Sequence, residues 1–236
     1  MKKNLILLTI VISVVLTGCF APVNLSYDSA KTLDKGQIQV KGNYSKYFVT
    51  SEQKNDTTYK GEINQNYGVA LAYGVSDKYT VGVRYEYLKP TLTFQKIFNG
   101  ISSDFNAMNS LSFFEIDNKL SLARNNVAVS LPIGAYFYNS QNLSSAKGGL
   151  GWLSLDPKMY FTFFRSSKVF ELSVIPKLHI LFGTFGGYVL PGISMGMGFS
   201  SDLDKWAIRP EIGYDRYFSF GVGAGINFNT HKGSDK

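Results

Sequence analysis

Phe218-Ser219-Phe220-Gly221-Val222-Gly223-Ala224-Gly225-Ile226-Asn227-Phe228 alternates without a break. Successive side chains of a strand point to opposite faces, so one face here is apolar and the other carries only Ser, Gly and Asn. The pattern recurs upstream. Residues 79–88 set Tyr79, Val81, Val83, Tyr85 and Tyr87 against Thr80, Gly82, Arg84 and Glu86. Residues 187–200 set Val189, Pro191, Ile193, Met195, Met197 and Phe199 against Tyr188, Gly192, Ser194, Gly196, Gly198 and Ser200. Residues 168–182 set Phe170, Leu172, Val174, Pro176, Leu178 and Ile180 against Glu171, Ser173, Lys177 and His179. Alternation this long and regular is strand, not helix.

Ten such segments are expected, at roughly residues 36–48, 64–75, 78–88, 111–122, 127–138, 150–164, 168–182, 187–200, 205–216 and 217–228. Their connections alternate in length. Ser76-Asp77, Ala123-Arg124-Asn125-Asn126, Arg165-Ser166-Ser167 and Ser201-Asp202-Leu203-Asp204 are short polar turns. Residues 49–63, 89–110 and 139–149 are long and polar, although the second also carries Phe94, Ile97, Phe98, Ile101 and Phe105. Short turns on one side and long loops on the other, with an even strand count, put both ends of a barrel on the short-turn side.

Charged residues make up 17% of the chain, against about 25% in an ordinary soluble domain, and aromatic residues reach 15%, with 15 Tyr and 18 Phe. This balance suits strands that face lipid on one side. The expected fold is all-β: a closed antiparallel up-and-down transmembrane β-barrel of about 10 strands, in a range of 8 to 12. Closure removes the edge strands whose unpaired backbone groups lipid would not tolerate. The alternative is a secreted soluble β-sandwich acting as a binding module, since alternation also fits one face in a core and one in water.

Met1-Lys2-Lys3-Asn4 opens the chain, an apolar run follows from Leu5 to Leu16, and Thr17-Gly18-Cys19 completes it. A charged start, a short apolar core and small residues at a cleavage site describe a secretion signal. About a dozen apolar residues fall short of the roughly 20 that a spanning helix needs. Leu16-Thr17-Gly18-Cys19 resembles the lipobox of bacterial lipoproteins, which implies cleavage before Cys19 and lipidation of its thiol. The chain has one Cys, so no internal disulfide competes for it. Phe20 after the Cys resembles lipoproteins sent on to the outer membrane. The expected organisation is a signal peptide over 1–18, an N-terminal periplasmic linker over 19–35, the barrel over 36–228 and a polar tail over 229–236. The expected location is the bacterial outer membrane, lipid-anchored, with both termini periplasmic.

The formal charge is +7, and taking away Lys2 and Lys3 leaves +5, spread along the chain without a long basic run. That gives no reason to expect nucleic acid and is compatible with anionic headgroups. Two His far apart and a single Cys assemble no metal set, and no cofactor is expected. Gly221, Gly223 and Gly225 sit in a strand with no helix after it, so they are expected to serve close packing rather than a phosphate.

With the apolar parity toward lipid, the other parity collects Lys41, Arg84, Glu86, Glu115, Asp117, Lys119, Asp156, Lys158, Glu171, Lys177, His179, Arg209, Glu211 and Asp215. Arg84, Glu86, Glu171, Lys177, His179, Arg209, Glu211 and Asp215 form the candidate lumen network, in which buried charges must pair. In general architecture, over most of the mature chain, this resembles the small outer-membrane barrels of the OmpA and OmpX types. That resemblance and a count near ten strands imply a filled or narrow lumen. The expected function is non-enzymatic: structural, surface-binding through the long loops, or a narrow solute pathway, in a chain expected to be a monomer. The alternative is a barrel hydrolase, protease or lipid-modifying, with His179, Glu211 and Asp215 activating water at the mouth. Against it, His179-Ile180-Leu181 lacks the Ser of the His-x-Ser arrangement of outer-membrane phospholipases, and no flanking motif of the omptin proteases is evident.

Overall fold

The alternating segments form twelve strand pieces in a computed structural model that describes residues 22–54, 57–91, 108–123, 125–140, 149–166, 168–183 and 187–230. They are β1 (Gln37–Lys54), β2 (Thr57–Ser76), β3 (Tyr79–Pro90), β4 (Met108–Ala123), β5 (Val127–Ser130) and β6 (Ile133–Ser140). There follow β7 (Gly149–Leu155), β8 (Lys158–Ser166), β9 (Phe170–Gly183), β10 (Tyr188–Phe199), β11 (Trp206–Tyr214) and β12 (Phe218–Asn229). Neighbours pair antiparallel, and β12 returns to β1 from Gln37↔Asn229 to Phe48↔Phe218, which closes the sheet.

Twelve pieces make ten wall strands. β5 and β6 both pair with β4, and β7 and β8 both pair with β9, so each couple is one strand broken in the middle. The breaks fall at Leu131-Pro132 and Asp156-Pro157, because proline has no N–H to give to a ladder. Carbonyls at the breaks still accept: Asp156 N bonds to Pro132 O at 3.0 Å, and Leu178 N to Pro157 O at 3.0 Å. The expected ten-strand barrel is therefore the observed one, with two prolines interrupting strands that the periodicity reads as continuous.

The expected long loop over 49–63 is corrected. β1 runs on to Lys54 and β2 begins at Thr57, with shifts of register between Tyr47 and Phe48 and between Val49 and Glu52. The pair projects as an irregular hairpin past its neighbours. Most of the other two long loops, 92–107 and 141–148, lie outside the described residues, as do Cys19 and the rest of 1–21 and the tail from His231.

The outer surface is a continuous apolar belt. Val69, Leu71, Val83, Phe163, Ile193 and Val222 all point outward, and Ile116, at the middle of β4, is 66% exposed. Such a belt on a closed wall, where backbone groups satisfy one another, is the β solution to crossing a bilayer. The fold is a transmembrane β-barrel.

The linker expected over 19–35 is also corrected. From Pro22 to Leu33 the chain is an extended thread inside the barrel, with Asn24, Leu25 and Ala30 wholly buried. Val23 starts at the long-loop end, packed with Tyr47, Val49, Trp152, Tyr188 and Tyr217. Lys35 and Gly36 turn it at the other end, where Lys35 N bonds to Asp77 Oδ1 at 3.0 Å and Gly36 N to Gly74 O at 2.8 Å. Gly36 has a φ of 78°, the left-handed conformation that glycine takes at no steric cost. The expectation of both termini on the short-turn side thus fails for the N-terminal part: Val23 lies at the long-loop end, while Thr230 lies beside Gly36 at the short turns.

Candidate functional site

The lumen is the one interior that the wall encloses, and the thread occupies it. It is held without a ladder. Among the described residues no backbone-to-backbone bond joins residues 22–33 to the wall; wall side chains bind the thread's backbone instead. Tyr136 Oη accepts from Val23 N at 3.0 Å and Tyr47 Oη from Asn24 N at 2.8 Å. Lower down, Thr162 Oγ1 accepts from Ala30 N and Thr80 Oγ1 from Leu33 N, both at 2.9 Å. Cations take the carbonyls: Arg84 donates to Leu25 O at 2.7 Å, Lys119 to Ser29 O at 3.2 Å, and Lys177 to Asn24 O.

Glu211 grips the thread at two points. Its Oε1 accepts from Ser26 N at 3.0 Å and its Oε2 from Tyr27 N. Two successive amides thus reach one carboxylate, and Tyr27, the second of them, takes a left-handed φ of 53°. A non-glycine residue there costs roughly 1–2 kcal/mol, which the charge-assisted pair offsets.

Glycines make the room. A Cβ at Gly223 would come within 2.7 Å of both Cβ and Cγ of Tyr27, and one at Gly213 within 2.8 Å of Asn24 Nδ2. The inward glycines of β12 were expected to serve close packing, and the packing partner at Gly223 is the thread.

Every residue of the candidate network faces the lumen and is buried. Arg84 pairs with Glu86, and Arg209 with Glu171 through Nε at 2.9 Å and Nη2 at 2.6 Å. Lys177 has no carboxylate within ion-pair distance among the described residues and bonds instead to Asn24 O, Ser26 Oγ at 3.2 Å and Ser194 Oγ at 3.1 Å. Lys158 pairs with Glu115 at 3.2 Å. Among the described residues no hydrogen bond joins His179, Glu211 and Asp215 to one another. His179 Nδ1 lies 2.7 Å from Asp156 Oδ1, Glu211 holds the thread, and Asp215 accepts from the backbone N–H groups of Arg216 and Tyr217. His179 is wholly buried.

The residue that sequence reasoning missed is Asp28 on the thread. Its Oδ2 takes Lys119 Nζ at 2.9 Å and Lys41 Nζ at 3.3 Å. Asp28 was passed over as part of a linker, although Val23, Leu25 and Tyr27 against Asn24, Ser26 and Asp28 already alternate over a short extended stretch. The lumen thus has two levels: aromatic and aliphatic groups around Val23 at the long-loop end, and ions around Asp28 below. Beside Asp28 toward the short turns remains a cavity of about 60 Å³.

No family model matches the chain, and no curated protein matches it. Solved structures do. An outer membrane channel from Pseudomonas putida F1 is 11% identical, with a TM-score of 0.47 over 86% of this chain and 100% of that one. Ail, the attachment invasion locus protein of Yersinia pestis, is 10% identical, with a TM-score of 0.36 over 82% and 99%. The N-terminal barrel domain of Pseudomonas aeruginosa OprF is 10% identical, with a TM-score of 0.34 over 82% and 98%. The likeness is one of general architecture and assigns no site.

Proposed function

We propose that this chain is a bacterial outer-membrane lipoprotein, without catalytic activity, whose barrel is a narrow solute path closed by its own N-terminal thread. The observation that carries the reading is the way the thread is held. A permanent filling would be expected to add a strand to a ladder. Here Val23 packs into the apolar cluster at the long-loop end, but the backbone of the extended segment is bound by single side chains and its lower half lies among ions, contacts that water and solutes can replace one at a time. Lys41 and Lys119 meet the thread's carboxylate, and Lys177 and Glu211 meet its backbone. With the thread withdrawn, these groups would line a hydrated path.

The lipid anchor on Cys19 belongs to the same proposal. From Cys19 to Val23 is four residues, a reach of about 14 Å at full extension. A tilted wall of a dozen residues per strand is about 30 Å high. A lipid on Cys19 is therefore held on the long-loop side, the side that faces outward in barrels of this kind.

Planar-bilayer recording tests the path. The intact protein is expected to be silent, and a variant lacking residues 22–34 to show stepwise conductance. A deletion variant that folds, as judged by heat-modifiable gel mobility, and stays silent would overturn the reading.

A further inference from the structure

The lower lumen holds more than a plug. Asp28 is the thread's only charged side chain between Pro22 and Ala30, and its Oδ2 is met by two ammonium groups from strands three apart in the wall, Lys41 on β1 and Lys119 on β4. The nearby wall carboxylates are committed elsewhere: Glu86 to Arg84, Glu115 to Lys158, and Glu171 to Arg209. Asp117 lines the same cavity, so two lysines face one wall carboxylate and an excess positive charge remains for an occupant. Two ammonium groups converging on one oxygen suit an oxyanion, and lysine meets it as a point charge that tolerates either a planar or a tetrahedral group. The space is there as well. The cavity of about 60 Å³ equals roughly two waters of liquid volume, before the Asp28 carboxylate leaves.

We propose that this cavity is a binding site for a small carboxylate- or phosphate-bearing solute entering from the short-turn end, which takes the place of the Asp28 carboxylate between Lys41 and Lys119. The proposal rests on the reading of the lumen as a solute path. Exchange loosens the lower thread by removing its ionic tie at Asp28; what still holds it there is Ala30 N to Thr162, Leu33 N to Thr80, Thr32 Oγ1 to Asp77 O, Lys119 to Ser29 O and the Lys31–Asp204 ion pair. Solute binding and thread release are then coupled, and each favours the other by the same factor.

Calorimetric titration of the full-length protein in detergent, with inorganic phosphate and separately with succinate, tests this. In the native chain the tethered carboxylate competes at an effective concentration in the millimolar range or above. The Asp28→Asn variant removes that competitor and keeps its size. It is expected to bind phosphate or succinate at least tenfold more tightly than the native protein. Adding Lys41→Met and Lys119→Met should abolish the gain. No gain in Asp28→Asn, or a gain that survives loss of both lysines, overturns the proposal; Asp28→Ala serves if the first variant does not fold. The thread-deletion recording reports on the path alone, so a silent deletion variant and an absent anion site are separate failures.

Discussion

Glu211 shows how one side chain can hold a backbone in a conformation it would otherwise avoid. A carboxylate that accepts from Ser26 N and Tyr27 N stabilises by about 1.5–3 kcal/mol per charged hydrogen bond. Glu211→Gln keeps the size, turns an amide NH₂ toward one of the two N–H donors, and is expected to loosen this point by about 2 kcal/mol. Hydrogen exchange at the Ser26 and Tyr27 amides should then quicken roughly 30-fold, at 1.4 kcal/mol per tenfold, while the β1–β12 seam keeps its protection. Cys19 is the other residue-scale test. Labelled fatty acid is expected to enter the native protein and not Cys19→Ser, and label retained in the variant would remove the lipid anchor.

The lipid-facing and lumen-facing parities make opposite predictions about substitution at the level of the strand. Ile116 faces outward at the middle of β4, where an arginine costs about 2–4 kcal/mol near the bilayer midplane. Ile116→Arg should lower the midpoint of denaturant unfolding in lipid vesicles. On β12, Gly223→Val puts a side chain where Tyr27 already stands, and is expected to drive the thread out and expose residues 22–34 to added protease. Gly42 provides the control, since a Cβ there meets only Gly68 O, at 4.0 Å. Gly42→Val should leave the thread protected.

These strands were legible because lipid on one face and ions on the other impose a period of two over nine or more residues. The breaks at Pro132 and Pro157 were less so, since the side-chain parity runs through them and only the missing donor marks the place. Asp156 pairing with His179 was hidden for the same reason. It stands at one of those breaks, and its partner lies 23 residues away on another strand.

At the scale of the whole molecule, sequence reasoning gave the wall and missed what fills it. The inward set of charges was readable, and so was the need for partners. The partners on residues 22–34 were not, because six residues of alternation in front of a barrel look like a linker until something shows where they run. The glycines at 213 and 223 were the available hint: an inward face stripped of side chains in two adjacent strands leaves a furrow that some part of the chain must fill.

The direction of the thread also constrains the order of assembly. Val23 begins at the long-loop end and the chain turns at Gly36 into β1, so the first two passes of the polypeptide run through the membrane side by side, one inside the other's sheet. Once β1 has zipped to β12 the ring has no opening along its length, and under the proposed lipidation of Cys19 a lipid-bearing end would then have to be pulled through a lumen only wide enough for an extended chain. On that proposal the N-terminal segment would already lie within the curling sheet when that last seam shuts, and the barrel would be the vehicle that carries its own thread across the bilayer.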